Sequence, residues 1–328
     1  MGYSLEIQRF VNDKVTDVYY PIIKDDVVWE TEWKGSASKL TFTVIKDKDV
    51  AFQEGDLVIF KSNDVGIFKG FVFEKSRDKE HHIQVTAYDQ LRYFANKHSM
   101  NYEDKTASEL LKMLLDDFNM SKGTIENTNH RIAARDEDNQ TYFDIVLNAL
   151  TETLLNTKEE YVLFDDFGKV SLINIRSKVY GLEITTDTAE NFQYTSSIDK
   201  DTYTEVLVVK VDKDNKSKPV EWLRYPENTT DNQKKWGILR EVLKAGKDDN
   251  LLNVAKTFLE AKNRKTRELD ITGCLGDLNV RAGVSVHVNL YIGDIHLNRY
   301  CLCSRVVHRF NHGVHLMDLT LEDTFTDE

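Results

Sequence analysis

In Val27-Val28-Trp29-Glu30-Thr31-Glu32-Trp33, the residues Val27, Trp29 and Trp33 fall on one face of an extended chain, and Glu30 and Glu32 on the other. That period of two is what a half-buried strand requires, because successive side chains point to opposite faces. Leu40, Phe42 and Val44 repeat it. Gly55-Asp56 is a turn signal before Leu57-Val58-Ile59-Phe60, Gly66 opens the run Ile67 to Phe73, and Ile83 to Tyr88 is a further strand. Short strands at this spacing make residues 1–98 a small antiparallel barrel or sandwich.

The period then changes. Thr106-Ala107-Ser108-Glu109 is a capping box, in which the Thr hydroxyl takes an orphan amide and the Glu reaches back. Leu110, Leu111, Leu114, Leu115 and Phe118 follow on one helical face. A second helix starts near Thr141, with Phe143, Val146, Leu147, Leu150 and Leu154 as its stripe. These apolar faces read as core rather than as a groove for a partner. The hairpin Tyr161 to Phe164, turn Asp165-Asp166-Phe167-Gly168, and Val170 to Ile173 completes a helical and hairpin insert over 99–180.

From 181 to 328 the chain returns to β. Thr204 to Val211 is a strand and Asp212 to Lys218 a polar turn or exposed loop. A helix over about 250–263 turns Leu251, Val254, Ala255, Phe258 and Leu259 inward. Val284 to Leu290, Ile295 to Val307 and Val314 to Leu321 are strands. With only Pro21, Pro219 and Pro226, and no Gly/Ser tract, these parts are joined compactly.

The 43 Lys and Arg against 55 Asp and Glu give a net charge of −12, which argues against tight nucleic-acid binding. The densest basic stretch, Lys262 to Arg267, reads as the solvated end of a helix. No apolar run approaches the roughly 18 residues of a membrane helix, so no membrane partner is expected. Met1 to Glu6 lacks the apolar segment of a secretory leader, and Glu6 stands where a myristoylation signal has Ser or Thr. Three cysteines without a CxxC point to a reducing compartment. Cys301 and Cys303 share a strand face and read as small apolar residues, not nucleophiles.

The chain carries no glycine-rich phosphate loop, no HExxH, no GxSxG and no calcium loop. On continuous β-structure His308 and His312 share a face and His315 points away, unless a turn at Asn311-His312-Gly313 intervenes; all three read as exposed hairpin histidines. His81 and His82 point to opposite faces of a strand. Asp116-Asp117 and Glu159-Glu160 are adjacent pairs that do not face each other, and Asp165-Asp166 is turn chemistry. Tyr19, Tyr20, Trp29 and Trp33 read as strand core rather than a sugar platform. The expectation is therefore no catalytic, cofactor-binding or metal-binding residue, and no enzyme.

An internal echo runs through the chain. His81-xxx-Val85-Thr86-xx-Asp89 matches His315-xxx-Leu319-Thr320-xx-Asp323 at constant offset, and Gly55-Asp56-Leu57-Val58 resembles Gly283-Val284-Ser285-Val286. Each block continues with two further strands, which suggests a duplicated β unit split by the helical middle.

Several strings, in order, resemble one family. They are Gly55-Asp56-Leu57-Val58 with Gly70-Phe71-Val72, Val85 to Leu91, Ala107-Ser108-Glu109-Leu110-Leu111, Tyr142 to Leu150, Thr195-Ser196-Ser197-Ile198, and Val306-Val307-His308 with His315 to Leu319. The family is that of the central hub of contractile phage-tail baseplates and phage-tail-like bacteriocins, the late control protein D or XkdQ-like hubs. Gly35-Ser36-Ala37-Ser38 departs from it in lacking a nearby proline. The resemblance implies an α+β, β-rich fold of two related small antiparallel β-barrel domains with an inserted α/β region. It implies a homotrimer that adapts a sixfold tail tube protein to a threefold central spike protein, beside other baseplate and tail proteins. It places the chain in a virion or phage-tail-like particle, synthesised in the bacterial cytoplasm; the acidic net charge suits a channel that should not hold DNA, since negative walls repel phosphate, but it does not locate the acids. A tail-associated cell-wall hydrolase and a carbohydrate-binding adhesion module are the alternatives.

Overall fold

The computed structural model describes residues 2–12, 14–48, 50–211, 219–245, 249–293 and 295–322. The expected loop Asp212 to Lys218 and Asp323 of the echo lie outside them. The chain is mostly β, with 53% strand and 18% helix.

Seven strands open the chain: β1 (Tyr3–Val11), β2 (Lys14–Tyr19), β3 (Val27–Glu32), β4 (Lys39–Val44), β5 (Leu57–Ser62), β6 (Val65–Arg77) and β7 (Ile83–Tyr88). The middle contains β8 (Lys97–Thr106), α1 (Ala107–Asp117), β9 (Lys122–Ile125), β10 (Arg131–Thr141), α2 (Tyr142–Thr157), β11 (Tyr161–Asp165) and β12 (Val170–Asn174). Then come β13 (Val179–Thr185), β14 (Asn191–Ser197), β15 (Glu205–Val211), β16 (Pro219–Tyr225), α3 (Asp231–Trp236), β17 (Arg240–Lys244) and α4 (Leu251–Lys262). The chain closes with β18 (Thr266–Leu275), β19 (Ser285–Ile292), β20 (Ile295–Asn311) and β21 (Val314–Glu322).

Thirteen of these strands form one continuous sheet, β14-β18-β21-β20-β3-β4-β7-β6-β5-β1-β2, with β19 branching from β20 and β13 from β19. The 17-residue β20 joins its two halves. Its first part pairs with β19, and Arg305 to Phe310 pair with β3. Each half rolls around its own core. Phe310 on β20 and Phe60 on β5 are five strands apart along the sheet, which is roughly 24 Å if flat. Their rings lie 5.0 Å apart, so the first half curls until its ends share one interior. Among the described residues no ladder closes either half, because the outer edge of β3 is taken by β20 rather than by β1.

The halves repeat one another. In chain order β1, β3, β4, β5, β6, β7 correspond to β13, β14, β18, β19, β20, β21, and the spatial order β3-β4-β7-β6-β5-β1 becomes β14-β18-β21-β20-β19-β13. The match reaches single atoms. Gly55 N donates to Val72 O and Val72 N to Asp56 O; Gly283 N donates to Cys303 O and Cys303 N to Val284 O. Both glycines hold φ near +90°, the left-handed region that favours glycine. The bulge between Val72 and Glu74 recurs between Cys303 and Arg305, and Thr86 and Thr320 face the residue just after it. The sequence echo is therefore a structural register. The one reversal is that β1 meets β5 antiparallel, whereas β13 meets β19 parallel.

Gly70 sits where β6 crosses the end of β7. An added Cβ would strike the Tyr88 carbonyl oxygen and come within 2.6 Å of the Phe68 ring. The carbonyl is backbone and cannot step aside. Gly70→Ala should cost about 1–3 kcal/mol, read as a lower urea midpoint with unchanged slope.

The middle packs around Leu110, Leu111, Leu114, Leu115, Phe143, Ile145, Val146 and Ala149. Both helices start in capping boxes, Thr106 with Glu109 and Thr141 with Asp144. The ribbon β8–β10 has no counterpart in the sequence reading, because its strands are mostly exposed and polar and so carry no alternation. A second insertion, residues 198–265, separates β14 from β18. Its sheet β16-β15-β17 packs Val206 and Val208 against Val254, Ala255 and Phe258 of α4.

Candidate functional site

The two sheet halves and the middle meet at one polar junction. β3 ends at Thr31 to Trp33, where Thr31 Oγ1 accepts from Ala282 N at 3.0 Å and Trp33 N donates to Ser304 O at 2.9 Å. Trp33 packs with Val162, Phe164, Ile173, Ile175, Ala282 and Leu302, which come from all three parts.

Asp89 follows β7 and is buried. Its carboxylate accepts from Leu91 N and Ser38 N, each at 2.9 Å, and from the Ser38 hydroxyl. It thereby caps the short 3-10 helix Gln90–Ala95. Asp165, in the β11–β12 turn, accepts from Gly168 N and Gln90 Nε2, both at 2.6 Å. The turn reading of Asp165 is borne out, but its reach toward the β7 end was not legible. Arg281, just before β19, lays its guanidinium 4.1 Å from the Phe164 ring centroid and 5.7 Å from that of Trp29. It donates to the Asp165 carbonyl at 3.1 Å, while its buried Nε has no partner. Burial and the neighbouring Asp165 push the Asp89 carboxyl up to about 7. Burial also raises Asp165, and it lowers Arg281 against the pull of Asp166, Asp89 and Asp165.

Beside this group the histidines correct the sequence reading. A turn with positive φ at His312 and Gly313 does intervene, and only His312 of the three is exposed. His308 and His315 are buried. His308 stacks on Trp29 at 5.0 Å, with Nε2 2.8 Å from Val280 O and Nδ1 2.9 Å from His315 Nε2. A carbonyl only accepts, so His308 Nε2 carries the proton and its Nδ1 accepts from His315 Nε2–H. His315 Nδ1 is then left without a partner, as observed. Burial, then His315, lowers His308 to about 3, so the pair is neutral.

Asp89 and His308 therefore act oppositely with pH. Asp89 has a raised folded pKa, so its contribution is full below about 4 and lost as pH rises through about 7. His308 has a lowered one, so its contribution is full above about 6.5 and lost as pH falls toward about 3. Between pH 4 and 6.5, His308→Phe should make stability fall more steeply with rising pH, and Asp89→Asn should make it fall more steeply with falling pH. Each change approaches about 1.4 kcal/mol per pH unit. Urea titrations at four pH values check this, and equal slopes in the two variants would contradict it.

Cys274, Cys301 and Cys303 are buried in the second core, and burial pushes the Cys303 thiol far up and Cys274 to about 11. Trp29 and Trp33 are core residues, as expected, while Tyr20 is exposed. His81 and His82 lie in the turn before β7, not on a strand, and His82 Nδ1 is 2.9 Å from Asp78 Oδ2. Asp78, Glu80 and His82 are the one grouping among the described residues whose ligand atoms converge, and the acids are exposed. No helix among the described residues is long and apolar enough to cross a membrane.

Both ends of the large sheet stay open. β2 is an exposed sheet edge carrying Val15 and Val18, beside exposed Phe10, Val11, Tyr20 and Ile22. β14 is the opposite edge. An exposed apolar edge such as that of β2 marks a contact surface.

A YqbQ-like family model matches residues 27–322. The phage-like element PBSX protein XkdQ of Bacillus subtilis (strain 168) is 29% identical over 282 residues, 83% of either chain. Among solved structures, the prophage MuSo2 43 kDa tail protein from Shewanella oneidensis superposes with a TM-score of 0.69 at 9% identity, over 97% of both chains. The tail protein from Neisseria meningitidis MC58 does so at 0.66 and 12% identity, over 98% of this chain and 97% of that one. With its family model spanning nearly the whole described sheet, and its fold that of phage tail proteins, the chain belongs to the YqbQ-like family.

Proposed function

We propose that the chain is the central hub of a contractile tail baseplate, acting as a homotrimer and by shape rather than turnover. The observation that carries this is the repeated half-sheet, matched in strand order, bulge and glycine turn. A ring of three copies with two equivalent halves each offers six similar positions to a sixfold tube and a threefold face to a spike. Without an internal repeat, a threefold object cannot meet a sixfold one through equivalent contacts. In this reading each rolled half serves as a barrel domain, with residues 1–98 and 181–328 flanking the insert 99–180. In this reading the junction at Arg281 holds the two halves in place. The tail tube protein, the central spike protein and other baseplate proteins are the partners. The site of action is the baseplate of a virion or phage-tail-like particle assembled in the bacterial cytoplasm. Particles made without this chain should lack a baseplate in electron micrographs, and intact baseplates in its absence would refute the role.

A further inference from the structure

Within one copy the two halves are joined by strand pairing. The outer edge of β3 meets β20 just past its bulge, with Arg305 opposite Glu32, Val306 opposite Thr31, Val307 opposite Glu30 and His308 opposite Trp29. The internal repeat makes β14 the counterpart of β3, and the end of β6 the counterpart of that part of β20. The residue correspondence follows from shared ladder partners. Leu40 pairs with Ala87 as Leu269 pairs with Leu321, and Trp29 pairs with Leu40 as Tyr194 pairs with Leu269. Likewise Glu74 and Arg305 face Thr86 and Thr320, and Lys75 and Val306 face Val85 and Leu319.

Both counterpart edges are open. Among the described residues β14 pairs only with β18, and Glu74 to Arg77 pair only with β7. Glu74, Ser76, Arg77, Thr195 and Ser196 are exposed. We infer that β14 of one copy adds to the Glu74–Arg77 edge of β6 in a second copy of this chain, in the register of the internal β3–β20 seam. Ser197 then faces Glu74, Ser196 faces Lys75, Thr195 faces Ser76 and Tyr194 faces Arg77.

The chemistry fits this register. The intrachain seam stacks His308 on Trp29, and the intermolecular one sets a guanidinium against the Tyr194 ring, an attractive cation–aromatic pair. Glu74 meets the hydroxyls of Thr195 and Ser197, where the internal seam has Arg305 beside Glu30 and Glu32. The four residues on β6 carry one acid and two bases, and those on β14 none, so no like charges oppose across the seam. The contact is heterologous, each copy giving β14 to one neighbour and β6 to the other. A heterologous contact closes into a ring where its rotation divides a full turn, and three copies with two equivalent halves each require that of this one.

The inference rests on the homotrimer reading, and its test separates the two. Ser76→Cys and Thr195→Cys full-length variants are mixed and oxidised under copper catalysis. Directly opposed strand residues have Cβ atoms close enough for a disulfide. A linked dimer should appear in the mixture and not in either variant alone. The out-of-register mixture of Ser76→Cys with Gln193→Cys should link about tenfold less. Light scattering is run on the same samples. A trimer without the in-register link overturns this pairing and leaves the homotrimer standing. A strict monomer at every concentration, also with tube and spike proteins added and without a link, overturns both.

Discussion

Replacing Phe310 with alanine should destabilise the chain by about 3–5 kcal/mol, because one ring serves both halves of the sheet. Phe310 lies on β20, a strand of the second half, yet its ring sits in the core of the first. It meets Phe60 at 5.0 Å, Tyr3 at 6.4 Å and His315 at 4.3 Å, and it is fully buried. Truncation leaves a cavity at the point where the rolled sheet brings its ends together. The loss is therefore of packing within the first half and of the grip between halves at once. Val314→Ala on the adjacent hairpin, exposed in the structure, should change stability by less than about 0.5 kcal/mol. Urea unfolding measures both. A Phe310→Ala loss below about 1 kcal/mol would mean that the halves do not share that interior.

Arg281→Met should cost about 3 kcal/mol near neutral pH, since it keeps the apolar stem but removes the cation from a buried carboxylate pair. Asp165 and Asp89 would be left facing each other with only hydrogen-bond donors for compensation, and Phe164 would lose the charge on its face. The cost should grow as pH rises past about 7, where Asp89 ionises. A double-mutant cycle separates charge from packing. Adding Asp165→Asn to Arg281→Met should recover more than about 1 kcal/mol if the charges interact. Strictly additive losses would show that Arg281 serves the junction only as a flat apolar spacer.

The sequence made the strands legible where one face is buried and the other wet, as in β3, β4 and β7. It also showed both long middle helices, whose capping boxes mark their first turns. Of the echo letters, Gly55 and Gly283 landed on a matched turn and Thr86 and Thr320 beside a matched bulge, where backbone geometry restricts residue choice. Three features were not legible. The β8–β10 ribbon is mostly polar, with Tyr102 and Ile132 as scattered core contacts, so periodicity has little to detect. α3 spans six residues, too few for a face, although Thr230 and Gln233 form its capping box. The burial of His308 and His315 depends on β3 laying Trp29 across β20, a pairing of residues some 280 apart that no local pattern encodes. Asp89 and Arg281 were missed as junction residues for the same reason: an isolated charge at a strand end looks like any solvated one until the other parts close over it.

The solution mass of the purified chain tests the central claim most directly. Light scattering on a sizing column should give about 114 kDa, three chains of 38.0 kDa, for a closed heterologous ring. A single species at 38.0 kDa that stays monomeric at every concentration, and also when tube and spike proteins are added, would contradict the account.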